Sequence, residues 1–251
     1  MEHRSKYAII AVDEFLTNIK SDSFLNEWFH PKEIKKPFNP KTVQSMAARY
    51  AMKLALKELI PKLQPLNEIY IKNKENGRPC ISKKHTSPAL RVKYNLDNVI
   101  FSLAHTRLLA AALVLFAENE GTSNFISCGI DIEEIMRFSK YITPPITDKG
   151  FIRLVYTIKE QEQYHNLDPL SCYATSFCCK EAVFKALNPS DSNSPVDWKE
   201  IELFFSEDYS HKPKVKLSGT AKQIFNDLGA KDIDFQIATY QGHMVFKVVI
   251  S

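Results

Sequence analysis

The sequence predicts an α+β fold made of two homologous α/β subdomains, an intramolecular pseudo-dimer. Three observations carry this. Strand-like runs alternate with helical segments along all 251 residues. That length suits two compact units of about 120 residues, each able to bury its own core. The chain also resembles itself. SMAARYAMKLAL at Ser45–Leu56 lies over CYATSFCCKEAV at Cys172–Val183, an offset of 127, and IFSLAHTRLLAAALV at Ile100–Val114 lies over DFQIATYQGHMVFKV at Asp234–Val248. Val12-Asp13 falls over Ile130-Asp131 in the same order, with offsets drifting from 118 to 134, as expected of two related halves with loop insertions. The cleft between such halves is a natural ligand site.

Each element follows from periodicity and punctuation. Thr42–Leu59 reads as a helix entered after Pro40 and blocked by Pro61, because Val43, Met46, Ala47, Tyr50, Ala51, Leu54 and Ala55 recur at helical spacing. Ile100–Leu103 and Ala110–Phe116 read as paired strands joined at His105–Arg107. Glu118–Asn124, ENEGTSN, is the expected linker, dividing the chain into residues 1–118, 119–125 and 126–251. The second half repeats the scheme: strand Cys128–Ile132, a Pro-containing loop at Thr143–Asp148, a broken helix pair over Gly150–Leu167, and a central helix over Pro169–Leu187 stopped by Asn188-Pro189. Ser218–Leu228 is a helix capped by Gly229, and Ile233–Ala238 with Met244–Ile250 forms a hairpin around Gln241-Gly242.

Composition bounds the function. Hydrophobic content of 44% and charged content of 25% describe an ordinary soluble globular protein. A net charge of +4 is too mild for a nucleic-acid partner and suits an anionic cofactor and an acidic protein partner. Five cysteines, Cys80, Cys128, Cys172, Cys178 and Cys179, show no metal spacing and read as reduced thiols of a cytoplasmic protein. Asp13 and Glu14 interrupt the apolar run YAIIAV, which argues against a secretory segment, and the longest apolar stretch, Leu108–Ala117, is too short for a bilayer. A cytoplasmic monomer without membrane or nucleic-acid partners is the expectation.

The chemistry concentrates in two segments. CGIDIE at Cys128–Glu133 carries Asp131 and Glu133 on a strand, and SCYATSFCCKEAVFKAL at Ser171–Leu187 carries Lys180, Glu181 and Lys185 on a helix. Carboxylates from two elements beside lysines are the residue types that hold a divalent ion against phosphate. As residues alone, Glu181 and Lys185 also fit a solvated i,i+4 ion pair, and Asp131 a strand end. Leu54 stands where the repeat would place Glu181, so only one of two possible interfaces carries the full carboxylate set.

With NGRP at Asn76–Pro79 and FSLAHT at Phe101–Thr106, these segments resemble the 4′-phosphopantetheinyl transferases of the two-domain, surfactin-synthetase-activating type. All four signatures occur in order between residues 76 and 187. The C-terminal half is also similar to the single-domain holo-acyl-carrier-protein synthases through DIEEI, KEAVFKAL and KPKVKLSGTAKQIFNDLGA. The resemblance implies the fold of that family, with the active site between the halves. It implies transfer of the phosphopantetheine arm of CoA to a serine of an apo acyl or peptidyl carrier protein, releasing adenosine 3′,5′-bisphosphate. Asp131, Glu133 and Glu181 match the magnesium ligands, with Mn²⁺ as the alternative ion. Glu134 competes with Glu133, and strand alternation favours Glu133 as the residue on the face of Asp131. Lys185 matches the lysine that assists the leaving phosphate, and Glu181 is the candidate base, directly or through water. His105 matches a histidine that touches CoA phosphate, and Lys180 is a candidate phosphate contact. Arg49, Lys53 and Arg78 are implied at the 3′-phosphate, with Pro79 and the backbone at Ala104 also against CoA. Ala104 and Thr106 replace serines, and Asn188 replaces a glycine, of the family pattern. A silent CoA- or carrier-binding module and a Mg²⁺-dependent phosphodiesterase are the competing classes.

Overall fold

The computed structural model describes residues 5–116, 126–142, 149–187, 195–206 and 212–251, and these form two compact units, residues 1–130 and 131–251. The expected linker and the loop at Thr143–Asp148 lie outside the described residues. The division falls inside a strand, just past that linker.

In the first unit, β1 (Ser5–Ala11) leads into the short helices α1 (Val12–Asn18) and α2 (Asp22–Trp28) and then the long helix α3 (Pro40–Leu59). The hairpin β2 (Ile71–Asn73) with β3 (Pro79–Ile81), helix α4 (Pro88–Lys93) and the hairpin β4 (Val99–His105) with β5 (Leu109–Phe116) complete it. Asn39 caps α3 by accepting from the Thr42 N–H at 2.9 Å, and Pro40 fills the first helical position, where a missing N–H costs nothing. Ala47, Ala48, Ala51 and Ala55 are buried along α3, and small side chains let the helix approach the sheet closely. That sheet has the order β1-β5-β4, antiparallel throughout, with register Ser5↔Leu115 to Ala11↔Leu109 and Val99↔Phe116 to His105↔Ala110. Central β5 is buried on both faces from Leu109 to Leu115, which is why LAAALVL shows no polar alternation.

The strand β6 (Ser127–Glu134) spans the division between the units. After it come the helices α5 (Ser139–Ile142), α6 (Lys149–Val155), α7 (Ile158–His165) and α8 (Pro169–Leu187). The hairpin β7 (Ile201–Phe204) with β8 (Lys214–Leu217), helix α9 (Gly219–Asp227) and the hairpin β9 (Ile233–Tyr240) with β10 (His243–Ile250) follow. Its sheet order is β6-β10-β9. Each unit therefore runs strand, long helix, small hairpin, short helix, large hairpin, with the first strand pairing the last. The repeat expected from α3 and α8 and from the two large hairpins holds in those elements, but Val12-Asp13, expected over Ile130-Asp131 of β6, instead opens α1, and the counterpart of β6 is β1.

Local chemistry explains the rest of the second unit. Thr157 and Glu160 form a capping box at the start of α7, each side chain accepting from the other's backbone N–H, at 3.2 and 2.9 Å. Helix α8 is buried continuously from Cys172 to Lys180, so it is apolar nearly all round. It packs on β10 and against the aromatic cluster of Phe138, Tyr141, Tyr156, Tyr164, Tyr173 and Phe177. Gln241 and Gly242 have φ of +47° and +73° between Tyr240 and His243, the two left-handed residues that a two-residue hairpin turn demands. The broken helix pair is α6 and α7, and α9 ends before Gly229 at φ +68°. All five cysteines are free thiols, four of them buried.

Candidate active site

Strand β6 and helix α8 bring the second unit's candidates together. Asp131 is buried on β6, and Lys185, two residues from the C-terminal end of α8, donates to its Oδ1 at 2.6 Å. Glu133, two residues along the strand, accepts from Arg137 Nη1 at 2.6 Å, while Glu134 is exposed. Burial pushes the Glu133 carboxyl up to about 7, the Asp131 and Glu181 charges push the same way, and Arg137 only partly offsets them. Burial and the Asp131 charge also raise Glu181, opposed by Lys185 and Arg137. Burial works against the Lys185 ammonium, yet Asp131 and Glu181 outweigh it and hold that lysine above its ordinary value.

Does this set fit a hard cation? Among the described residues, no group of three or more His, Cys, Asp or Glu side chains is placed to hold a metal by itself. Mg²⁺ does not require one, since it is commonly held by one or two carboxylates with substrate phosphate oxygens. The donor set fits on two counts. Burial first, and then the Asp131 charge, raise Glu133 and Glu181, so a cation among these carboxylates would offset both costs. Asp131 Oδ2 is buried without a hydrogen-bond partner, a costly state for a polar atom.

Two expected phosphate contacts are corrected. Lys53 is fully buried on α3, donating to Glu33 Oε2 at 2.6 Å and to the Trp28 carbonyl at 2.8 Å. Lys180 is likewise fully buried, donating to Glu160 at 2.9 Å, to the Trp198 carbonyl at 3.1 Å and to the Ile201 carbonyl. Burial lowers both ammonium groups against the pull of their glutamates. Neither lysine can reach a phosphate without breaking these contacts. Glu33 and Glu160, which sequence reasoning missed, carried one signal: each stands three residues after a capping residue and 20 before a helical lysine.

The first unit places Arg49, Arg78 and Pro79 on cavity walls. Arg49 lines a cavity of about 490 Å³ with Lys32, Lys35, Lys41 and Lys72. Its guanidinium reaches the Ser45 carbonyl at 3.0 Å and Asn73 Oδ1 at 3.4 Å. Arg78 and Pro79 line a second cavity of about 620 Å³ that shares Lys72, and Arg78 also donates to Ser127 Oγ at 3.2 Å. Ala104 is buried in β4, and His105 is exposed at its end. Positive charge gathers in this half: residues 1–130 carry 19 Lys and Arg against 12 Asp and Glu, and residues 131–251 carry 14 against 17.

The model of the 4′-phosphopantetheinyl transferase superfamily matches residues 127–239. The chain is 31% identical over 126 residues to the holo-(acyl-carrier-protein) synthase of Trichlorobacter lovleyi, an alignment covering 50% of this chain and 96% of that protein. The chain belongs to the 4′-phosphopantetheinyl transferase superfamily. The holo-(acyl-carrier-protein) synthase of Ruminiclostridium cellulolyticum is 31% identical over 125 residues, 49% of this chain and 90% of its own length. The crystal structure of the Helicobacter pylori synthase in complex with coenzyme A aligns with 49% of this chain and 99% of its own, at 24% identity and a TM-score of 0.39. The superfamily match spans Asp131, Glu133, Glu160, Lys180, Glu181 and Lys185, and leaves Arg49, Arg78 and His105 outside. Among the described residues no helix is long and apolar enough to cross a membrane.

Proposed function

We propose that this protein transfers the 4′-phosphopantetheine arm of CoA to a serine of an apo acyl or peptidyl carrier protein. The observation that supports it most is the ion-paired carboxylate cluster of Asp131, Glu133, Glu181 and Lys185, lying inside the superfamily match. Asp131, Glu133 and Glu181 would hold Mg²⁺ or Mn²⁺, which when bound neutralises charge on the CoA pyrophosphate. Glu181 accepts the proton of the attacking serine hydroxyl, directly or through a water. Its raised pKa brings a carboxylate base closer to neutrality, where proton transfer is better matched. The serine oxygen bonds to the phosphorus that carries pantetheine, and the phosphoanhydride bond to the adenosine side breaks. Lys185, held by Asp131, donates to the phosphate oxygen on which negative charge grows, and adenosine 3′,5′-bisphosphate leaves. Arg49, Arg78, Pro79, Ala104 and His105 are proposed as CoA contacts on the motif resemblance of the first half, with one CoA per monomeric chain.

The carrier would dock on the exposed stretch formed by α6 and α7. Arg153, Leu154 (66% exposed), Ile158 (73%) and Lys159 give it an apolar centre with basic flanks. Because the second unit carries more acids than bases, attraction of an acidic carrier to this stretch rests on the local Arg153 and Lys159.

Mass spectrometry of an apo carrier incubated with CoA, Mg²⁺ and the protein tests the reading. A gain of one phosphopantetheine supports it. Free phosphopantetheine with an unmodified carrier means hydrolysis, and no product with retained CoA binding means a binding module; either overturns it. Calorimetry showing two equivalent CoA sites contradicts the proposed stoichiometry.

A further inference from the structure

The two buried lysines are one device used twice. In the first unit, Glu33 Oε2 accepts from the His30 N–H at 3.0 Å and from Lys53 Nζ, while its Oε1 accepts from the Ile71 N–H of β2 at 3.3 Å. In the second, Glu160 Oε2 accepts from the Thr157 N–H at 2.9 Å and from Lys180 Nζ, while its Oε1 accepts from the Leu203 N–H of β7 at 3.2 Å and from Ser176 Oγ at 2.9 Å. The parallel extends further. Each glutamate closes a capping box, each lysine lies 20 residues on in the long helix, and each ammonium also meets at least one backbone carbonyl and an aromatic ring, Phe29 at 5.4 Å or Tyr156 at 5.6 Å. One buried carboxylate thus ties a capping turn, a long helix and the first strand of the small hairpin together.

The second copy has a neighbour that the first lacks. On a helix of 3.6 residues per turn, Lys180 and Lys185 point to directions about 140° apart, and Glu181 lies between them. Lys180 is tied to Glu160 and the start of β7, and Lys185 to Asp131 of β6, so α8 is gripped from two sides. We propose that the Glu160–Lys180 pair is a positioning lock: by fixing the rotation of α8 it sets Glu181 and Lys185 against Asp131. The Glu33–Lys53 pair, whose helix carries Leu54 in place of that glutamate, serves folding alone. This rests on the transferase reading of the carboxylate cluster.

The first-unit pair supplies the control. Glu160→Gln with Lys180→Met, and Glu33→Gln with Lys53→Met, each remove both buried charges and leave neither uncompensated. Binding of Mn²⁺ alone is followed by the paramagnetic resonance of the free ion, alongside kcat and KM for CoA. The lock predicts at least tenfold weaker Mn²⁺ binding and at least 30-fold lower kcat in the Glu160/Lys180 variant, with KM for CoA within threefold. The Glu33/Lys53 variant should stay within twofold in Mn²⁺ affinity. Equal behaviour of the two, or wild-type values in the Glu160/Lys180 variant, overturns the proposal. Where that variant does not fold, Glu160→Asp keeps the charge balance and withdraws the carboxylate by one methylene. It should lower kcat at least tenfold, and wild-type kcat in it would equally refute the lock. A wild-type protein that neither binds Mn²⁺ nor modifies a carrier removes the transferase reading, and the lock with it.

Discussion

Replacing Glu133 by Gln should stabilise the metal-free protein while abolishing transfer. The Glu133 carboxyl is 12% exposed and stands near Asp131 and Glu181, with Arg137 as its counter-ion. A carboxyl that titrates near 7 in the fold and near 4.5 in the unfolded chain binds its proton more tightly when folded. Its contribution therefore favours the fold below about pH 4.5 and is lost as pH rises through about 7. At 1.36 kcal/mol per unit, ionised Glu133 costs the fold roughly 3 kcal/mol above pH 7. The neutral amide removes that cost. Its own imperfect burial takes back about 1 kcal/mol, so a net gain of about 2 kcal/mol is expected at pH 8 and a small net loss, under about 1 kcal/mol, at pH 4.5, where the folded carboxyl already holds its proton. For a chain of this length the gain corresponds to a Tm rise of about 4–8 °C. Urea unfolding in EDTA across pH 4.5–8 measures it. Saturating Mg²⁺ should stabilise the wild type at pH 8 and the variant less. A variant that is destabilised at pH 8, or equally affected at both pH values, would refute the electrostatic account of the cluster.

Asp131→Ala and Glu181→Gln should each lower kcat by about 10²–10³-fold, the size of one lost transition-state charge contact, with CoA affinity within threefold and circular dichroism unchanged. Near wild-type kcat at saturating Mg²⁺ in either would rule out the metal assignment. Reversing charge at Arg153 and Lys159 should raise KM for the carrier and flatten its salt dependence, with KM for CoA unmoved, and an unchanged salt slope would discard α6–α7 as the docking surface. At pH 8, a disulfide-exchange reagent should titrate one thiol of the folded protein, that of half-buried Cys80, and five after unfolding. Burial pushes Cys128 up to about 12 and raises Cys178 and Cys179, so fast reaction of two or more thiols would contradict the packing of β6 and α8.

What could be read from the sequence alone was local. Helix α3 between Pro40 and Pro61, helix α8 from Pro169, the large hairpins and the Gln241-Gly242 turn follow from periods and turn residues a few positions apart. So does the pairing of carboxylates on β6 with Lys185 on α8 as candidate chemistry, because those residue types carry their meaning without coordinates. The small hairpins β2–β3 and β7–β8 did not show. With three or four residues per strand they hold no period of their own, and their ladders form only once the chain has folded back. Lys53 and Lys180 are the sharper case. Sequence places each as a cation on a long helix, which is equally the description of a phosphate ligand and of a buried lysine. What separates the two is whether a carboxylate 20 residues away returns to meet the ammonium as water is removed, and desolvation and its compensation exist only in the packed structure.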